Sequence, residues 1–240
     1  AGTITMHLGR IVGMGPAATV VYYQRLTSLV RARGHTLDLT IVHADVDELI
    51  RNNLADFRQE QAAAYAILID RLKAAGAECA AITSLGGHFC FAETEAISSL
   101  PLVSAVTPLD AHFAALGLGT VGLLGTDVVM RTKLFGQLHK TRAVAPLDTM
   151  DAVGTAYRNM AVRGTCTEDD RTLFFDAARR MVADQGAEAI VLAGTDLNLA
   201  FDGHDLGFKV VDALDVHVAL LADLATGKMT LPQVTKGSQA

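Results

Sequence analysis

Short apolar runs alternate along the chain with longer stretches whose apolar residues recur at helical spacing. Leu8–Val12, Leu39–Val42, Ala80–Ile82, Leu102–Val106, Val121–Leu124, Ala189–Leu192 and Lys209–Val211 predict strands. Ala17–Arg33, Leu54–Ala75, Pro108–Leu116, Val129–His139 and Glu168–Gln185 predict the helices between them. Strands that are apolar on both faces and separated by helices mark a parallel α/β sheet, covered on each side. Gly34, Gly76, Gly117 and Gly186 stand where a left-handed residue ends a helix.

The pattern occurs twice. Gly76-Ala77-Glu78 leads into Cys79-Ala80-Ala81-Ile82-Thr83-Ser84, and Gly186-Ala187-Glu188 leads into Ala189-Ile190-Val191-Leu192-Ala193-Gly194. That is an offset of 110 residues, and it sets Ser84 opposite Gly194 at two strand ends. Leu8-Gly9-Arg10-Ile11-Val12-Gly13 pairs with Val121-Gly122-Leu123-Leu124-Gly125-Thr126 at an offset of 113. Two pairs at nearly one offset predict a duplicated α/β unit, with ligands held by the loops at the strand ends, around a shared cleft.

Composition narrows the function classes. The 240 residues are 50% hydrophobic and 19% charged, with a net charge of −6. Such a chain buries a core without disulfides and is neither disordered nor suited to gripping nucleic-acid phosphates. No apolar run reaches the 18 residues of a membrane span. Ala1–Arg10 shows no charged segment followed by an apolar one, as a secretory leader would. Cys79, Cys90 and Cys166 lack C-x-x-C spacing, which argues against zinc ribbons and redox pairs and predicts reduced thiols in a cytoplasmic protein.

Four segments, in order, resemble the aspartate/glutamate/hydantoin racemase superfamily. They are Gly13-Met14-Gly15-Pro16 with Ala18-Thr19 and Tyr22-Tyr23, then Val121–Thr126, then Gln185–Asp196, then Val211-Asp212 with His217. The resemblance implies two pseudo-symmetric, three-layer α/β/α Rossmann-like domains with parallel sheets and an interdomain cleft. The first would comprise residues 1–103 plus 208–240 with the C-terminal helix, and the second residues 104–207. It also implies a cofactor-independent enzyme, a small carboxylate as ligand, no metal, no nucleic-acid or membrane partner, and a homodimer. Racemases of this kind flank the substrate's α-carbon with two cysteines, one removing a proton and the other returning one from the far face.

The chain departs from that pattern where it matters most. The first cysteine belongs in Cys-Asn-Thr-Ala-His, where this chain reads Ser84-Leu85-Gly86-Gly87-His88; the second belongs in Gly-Cys-Thr-Glu, where it reads Ala193-Gly194-Thr195-Asp196. A serine hydroxyl is too weak a base for an α-proton and glycine offers no side chain, so two-thiol racemisation is excluded at these positions. Ser84, His88 and Thr195 remain as candidate catalytic residues. His88 is the best remaining base, with an orienting role as its alternative.

Met14, Gly15, Gly86, Gly87, Thr126, Gly194 and Asp196 are candidate substrate contacts. The free N–H groups at the helix start after Gly15 suit a carboxylate, and Asp196 is expected to bond His217 or His88. Arg51, in the loop after the second strand, is either a fork for a distal carboxylate or a surface charge. Cys90 is a thiol at a helix start or a packing residue, Cys166 a loop residue beside the capping Thr167, and His217 a further candidate. Asp202-Gly203-His204-Asp205 reads as a solvated turn rather than a metal site. Arg10, inside an apolar strand, calls for a carboxylate partner. The functions left open are an isomerase of racemase type without cysteine, a lyase or decarboxylase on the same frame, and a catalytically silent carboxylate binder.

Overall fold

A computed structural model describes residues 6–235. The chain runs β1 (His7–Val12), α1 (Pro16–Ala32), β2 (Asp38–His43), α2 (Val46–Leu54), α3 (Arg58–Ala74), β3 (Cys79–Ile82), α4 (Phe91–Ile97), β4 (Leu102–Val103) and α5 (Pro108–Ala115). It continues with β5 (Thr120–Gly125), α6 (Asp127–Arg131), β6 (Arg142–Val144), α7 (Met150–Arg163), α8 (Glu168–Gln185), β7 (Ala189–Ala193), α9 (Asn198–Phe201), β8 (Lys209–Asp212), α10 (Ala213–Ala225) and α11 (Leu231–Thr235). Short 3₁₀ turns occupy Gly86–Cys90 and Thr195–Leu197, just beyond β3 and β7.

Two four-stranded parallel sheets result, ordered β2-β1-β3-β4 and β6-β5-β7-β8. Their registers carry the duplication. Leu8 pairs with Cys79 in the first sheet and Val121 with Ala189 in the second, so both sequence offsets map one central strand pair onto the other. Gly9 and Gly122 stand at matching places, and a Cβ on either would meet its neighbours at 2.7 or 2.8 Å.

The chain divides into two compact units, one of residues up to Met14, Thr19–Thr107 and Asp215 onward, the other of Gly15–Ala18 and Pro108–Leu214. In the first, α1 and α10 are joined by Arg25–Asp215 and Arg33–Asp223 ion pairs of 2.8 and 2.7 Å. In the second, α7 and α8 cover the sheet through Val153, Tyr157, Met160, Phe174 and Met181. The return to the first unit, expected at residue 208, falls after β8, which pairs with β7.

Other expectations need correction. The helix read as Leu54–Ala75 is two helices, broken at Asp56, which has φ of 55°; short polar side chains tolerate that conformation best. The helix read as Val129–His139 stops at Arg131. Lys133, Leu134 and Phe135 then take φ of 51–58°, and the Leu134 N–H bonds to the Val129 carbonyl. This tight turn buries Leu134 completely. Strand β6 and helix α7 were not expected: β6 has three residues, and α7 carries Gly154 and Thr155 amid its apolar positions.

Candidate active site

In the first unit the tip of β3 is followed by Ser84 and the Gly86–Cys90 turn. The Ser84 hydroxyl donates to the Met14 sulfur (3.3 Å) and accepts from the Gly87 N–H (3.1 Å). The carbonyls of Gly86 and Gly87 accept from the Asn53 amide (2.9 Å) and the Tyr65 hydroxyl (3.2 Å). A Cβ on Gly87 would lie 2.5 Å from that hydroxyl, so the close turn requires glycine here.

His88 faces the backbone of Ser84 and not its hydroxyl. Its Nδ1 meets the Ser84 carbonyl at 2.6 Å, not the hydroxyl, and the Ala105 N–H donates to Nε2 at 3.0 Å. The Ala105 bond fixes Nε2 as acceptor and Nδ1 as the protonated nitrogen. Burial pushes the pKa down to about 4, and the Ser84 carbonyl offsets this in part. The ring, stacked on Phe91 at 5.4 Å, is thus a neutral clasp between the β3 and β4 ends.

Two of the three thiols are buried and held protonated. Cys90 is fully buried against Thr94, and burial pushes it up to about 11. Any lowering by a helix start is outweighed by desolvation. Cys79 is raised to about 11 for the same reason. Cys166 is partly exposed beside the α8 cap, where Thr167 accepts from the Asp170 N–H. Arg51 lies exposed within α2 rather than in a loop.

In the second unit β7 ends at Ala193, and the segment beyond it is more than a plain loop. Gly194 is extended, and an ideal Cβ there would fall 2.5, 2.6 and 2.8 Å from Cε2, Cζ and the hydroxyl of Tyr157. The α7 tyrosine therefore fills the volume in which any side chain at position 194 would begin. Its hydroxyl donates to Asp196 Oδ2 at 3.3 Å and accepts from the Asp196 N–H at 3.4 Å, and the Thr195 hydroxyl also bonds to it.

Asp196 Oδ1 accepts from the Ala18 N–H at 3.2 Å. The backbone donor that the sequence offered to a ligand carboxylate is thus taken by an internal one, and Asp196 bonds Tyr157 and Ala18 rather than either histidine. Gly15, with φ of 91°, lets the backbone pass the carboxyl where a Cβ would approach to 2.2 Å. Asp196 is completely buried, and burial lifts its pKa to about 7 against the opposing pull of the Ala18 and Tyr157 bonds. Tyr157 is raised well above its usual value by burial, then by the Asp196 charge. Thr126 caps α6 by accepting from the Val129 N–H at 3.4 Å.

A model of the Asp/Glu/Hydantoin racemase family matches residues 11–221. The chain belongs to that family. Among solved structures, it is similar to a Yersinia pestis protein assigned as an Asp/Glu racemase, at 25% identity and a TM-score of 0.78, over 92% of this chain and 99% of that one. An aspartate racemase homologue from Pyrococcus horikoshii shares the fold at 21% identity and a TM-score of 0.74, over 92% and 99%. The Picrophilus torridus aspartate racemase does so at 20% and 0.72, over 92% and 94%.

Within this racemase-family frame, sequence reasoning placed Ser84, His88, Gly194, Thr195 and Asp196 at the two strand tips, where they stand. It missed Tyr157, Tyr65 and Asn53, which come from helices and are joined to the tips only by folding. A glycine where the family pattern has a larger residue was the one available sign that something else occupies its space. His217 is buried on α10 with Nδ1 bonded to the Tyr22 hydroxyl. His204 packs edge-on against Phe175 at 5.3 Å, and no cluster of metal-ligating side chains occurs among the described residues. No helix among them is long and apolar enough to cross a membrane.

Proposed function

We propose that the protein is a cofactor-independent enzyme of isomerase type that moves a proton at the carbon next to the carboxylate of a small acid, using oxygen acids instead of thiols. The observation that supports this is the pairing, at the β7 tip, of a carboxyl with a pKa of about 7 and a phenol in the space of the absent 194 side chain. Both protonation states of Asp196 are populated near neutrality, the condition for a group that must give and take a proton in one cycle.

In the protonating direction the Tyr157 hydroxyl gives its proton to the carbanionic carbon, and the Asp196 carboxyl passes its own to the phenolate oxygen, ending as carboxylate. In reverse, the carboxylate draws the phenol proton as the phenol oxygen takes the proton from carbon. The Asp196 N–H and the Thr195 hydroxyl, both on the phenol oxygen, steady the charge that develops there. One such pair delivers a proton to one face, which suits isomerisation, or protonation after a bond to carbon has broken, better than inversion by two opposed bases.

Incubation with a panel of small amino and hydroxy acids in deuterium oxide tests this by NMR. Deuterium entering the α-position of at least one acid is the expected result. Thermal stabilisation by an acid without exchange into any would overturn the proposal in favour of a silent binder.

A further inference from the structure

The most anomalous group in the first unit is Arg10, which takes no part in proton transfer at the β7 tip. It sits in β1 between Ile41 and Ala81 in register, with Val103 beside Ala81. The residue is completely buried, and none of its three guanidinium nitrogens has a hydrogen-bond acceptor among the described residues. Its contact is the face of the Tyr22 ring, 4.4 Å from the guanidinium carbon. Across that ring stands His217, also completely buried, with Nδ1 on the Tyr22 hydroxyl and the Val103 backbone carbonyl as a second partner of its ring.

A guanidinium stays charged at neutral pH even when burial lowers its pKa to about 10, as here. A cation–π contact offsets only part of the cost of taking that charge out of water, and five N–H donors are left over. His88 and His217 lie near enough to act on one another electrostatically, and Arg10 acts on His217, each coupling disfavouring a further positive charge. The cluster is thus cationic, and its guanidinium donors lack acceptors among the described residues.

We propose that Arg10 binds a small monoanion, a halide or the carboxylate of a one- or two-carbon acid, in the layer between β1 and the helices α1 and α10. The planar fork suits a carboxylate through two parallel bonds and a halide through its cleft. Complete burial of the guanidinium disfavours larger anions, and binding here is independent of the proton transfer at the β7 tip.

Thermal unfolding of the full chain, followed by circular dichroism at constant ionic strength, provides the test. Sodium gluconate, whose anion is too large to enter, is replaced stepwise by sodium chloride in one arm and sodium formate in the other. The wild type should show a saturable rise in Tm of about 5 °C in at least one arm, and the arm that responds identifies halide or carboxylate as the occupant. R10M should lose the response while matching or exceeding the wild-type Tm in gluconate, because it removes an uncompensated charge. Crystals grown in bromide, if chloride is the responding ion, should show an anomalous peak against the guanidinium. Equal responses of wild type and R10M in both arms, or R10M far less stable than wild type in every salt, would overturn the site.

Discussion

Adding a single methyl group at Gly194 probes how the β7 tip is built. The ideal Cβ would stand 2.5–2.8 Å from three atoms of the Tyr157 ring and hydroxyl, about 1 Å inside ordinary contact. The ring cannot swing away easily, because Tyr157 is 3% exposed and packs among Val153, Met160 and Leu197. G194A should therefore cost about 1–3 kcal/mol as an overpacking change, a fall in Tm of about 2–12 °C for a chain of this length. Y157F keeps the ring and should not relieve the clash. Y157A, which leaves a cavity costing about 3–5 kcal/mol on its own, should make the added methyl group harmless or welcome. Urea denaturation of wild type, G194A, Y157A and the double variant closes the cycle, with an expected coupling of about 1–3 kcal/mol. G194A without cost in the wild type, or with equal cost in both backgrounds, refutes the claim that the tyrosine owns this space. The same collision applies to G194C, so restoring a thiol there without removing the tyrosine should yield no second acid–base group.

The Asp196 carboxyl, raised from 3.8 to about 7, binds its proton more tightly folded than unfolded. Its contribution to stability is fully present below about pH 4 and lost as pH rises to 7, by up to about 4 kcal/mol. His88 and His217, lowered to about 4 and about 3, act oppositely, destabilising the fold as pH falls below 6.5. The difference between wild-type and D196N unfolding free energies, measured from pH 4 to 8, should isolate the first effect; a flat difference contradicts it. H88F, which strands the Ser84 carbonyl and the Ala105 N–H, should cost about 2–4 kcal/mol, and H88Q less because its amide can serve both, as denaturation midpoints will show. With a disulfide reagent at pH 8, only Cys166 should react in the native protein, since Cys79 and Cys90 are buried and raised to about 11; rapid titration of two or three thiols contradicts that packing.

The fold was legible because it is written in local pattern. The near-continuous apolar runs at residues 8–12, 121–124 and 189–192 become central strands, and the offsets of 110 and 113 reappear as sheet register. What failed was equally physical. Three-residue β6 has too little sequence for a period, the helix break rests on the single exposed residue Asp56 at positive φ, and the turn at Leu134 depends on tertiary burial that no local preference announces. At the candidate site, the motif positions were readable but their chemistry was not. Whether His88 meets the hydroxyl or the carbonyl of Ser84 is a matter of one rotamer and one neighbouring loop. Asp196 bonds no histidine; burial raises its pKa against the opposing bonds to Ala18 and Tyr157, residues 178 and 39 positions away in sequence. Arg10 was anomalous at both levels, a charge in an apolar strand and then a charge without an acceptor.

Proton exchange into an acid that the wild type accepts, compared among D196N, Y157F and C166S in deuterium oxide, tests the central claim most directly. If the carboxyl–phenol pair moves the proton, D196N and Y157F should each slow exchange by about 10²-fold or more while retaining acid-induced thermal stabilisation, and C166S should match the wild type. Undiminished exchange in D196N and Y157F, or its loss in C166S, would contradict the account.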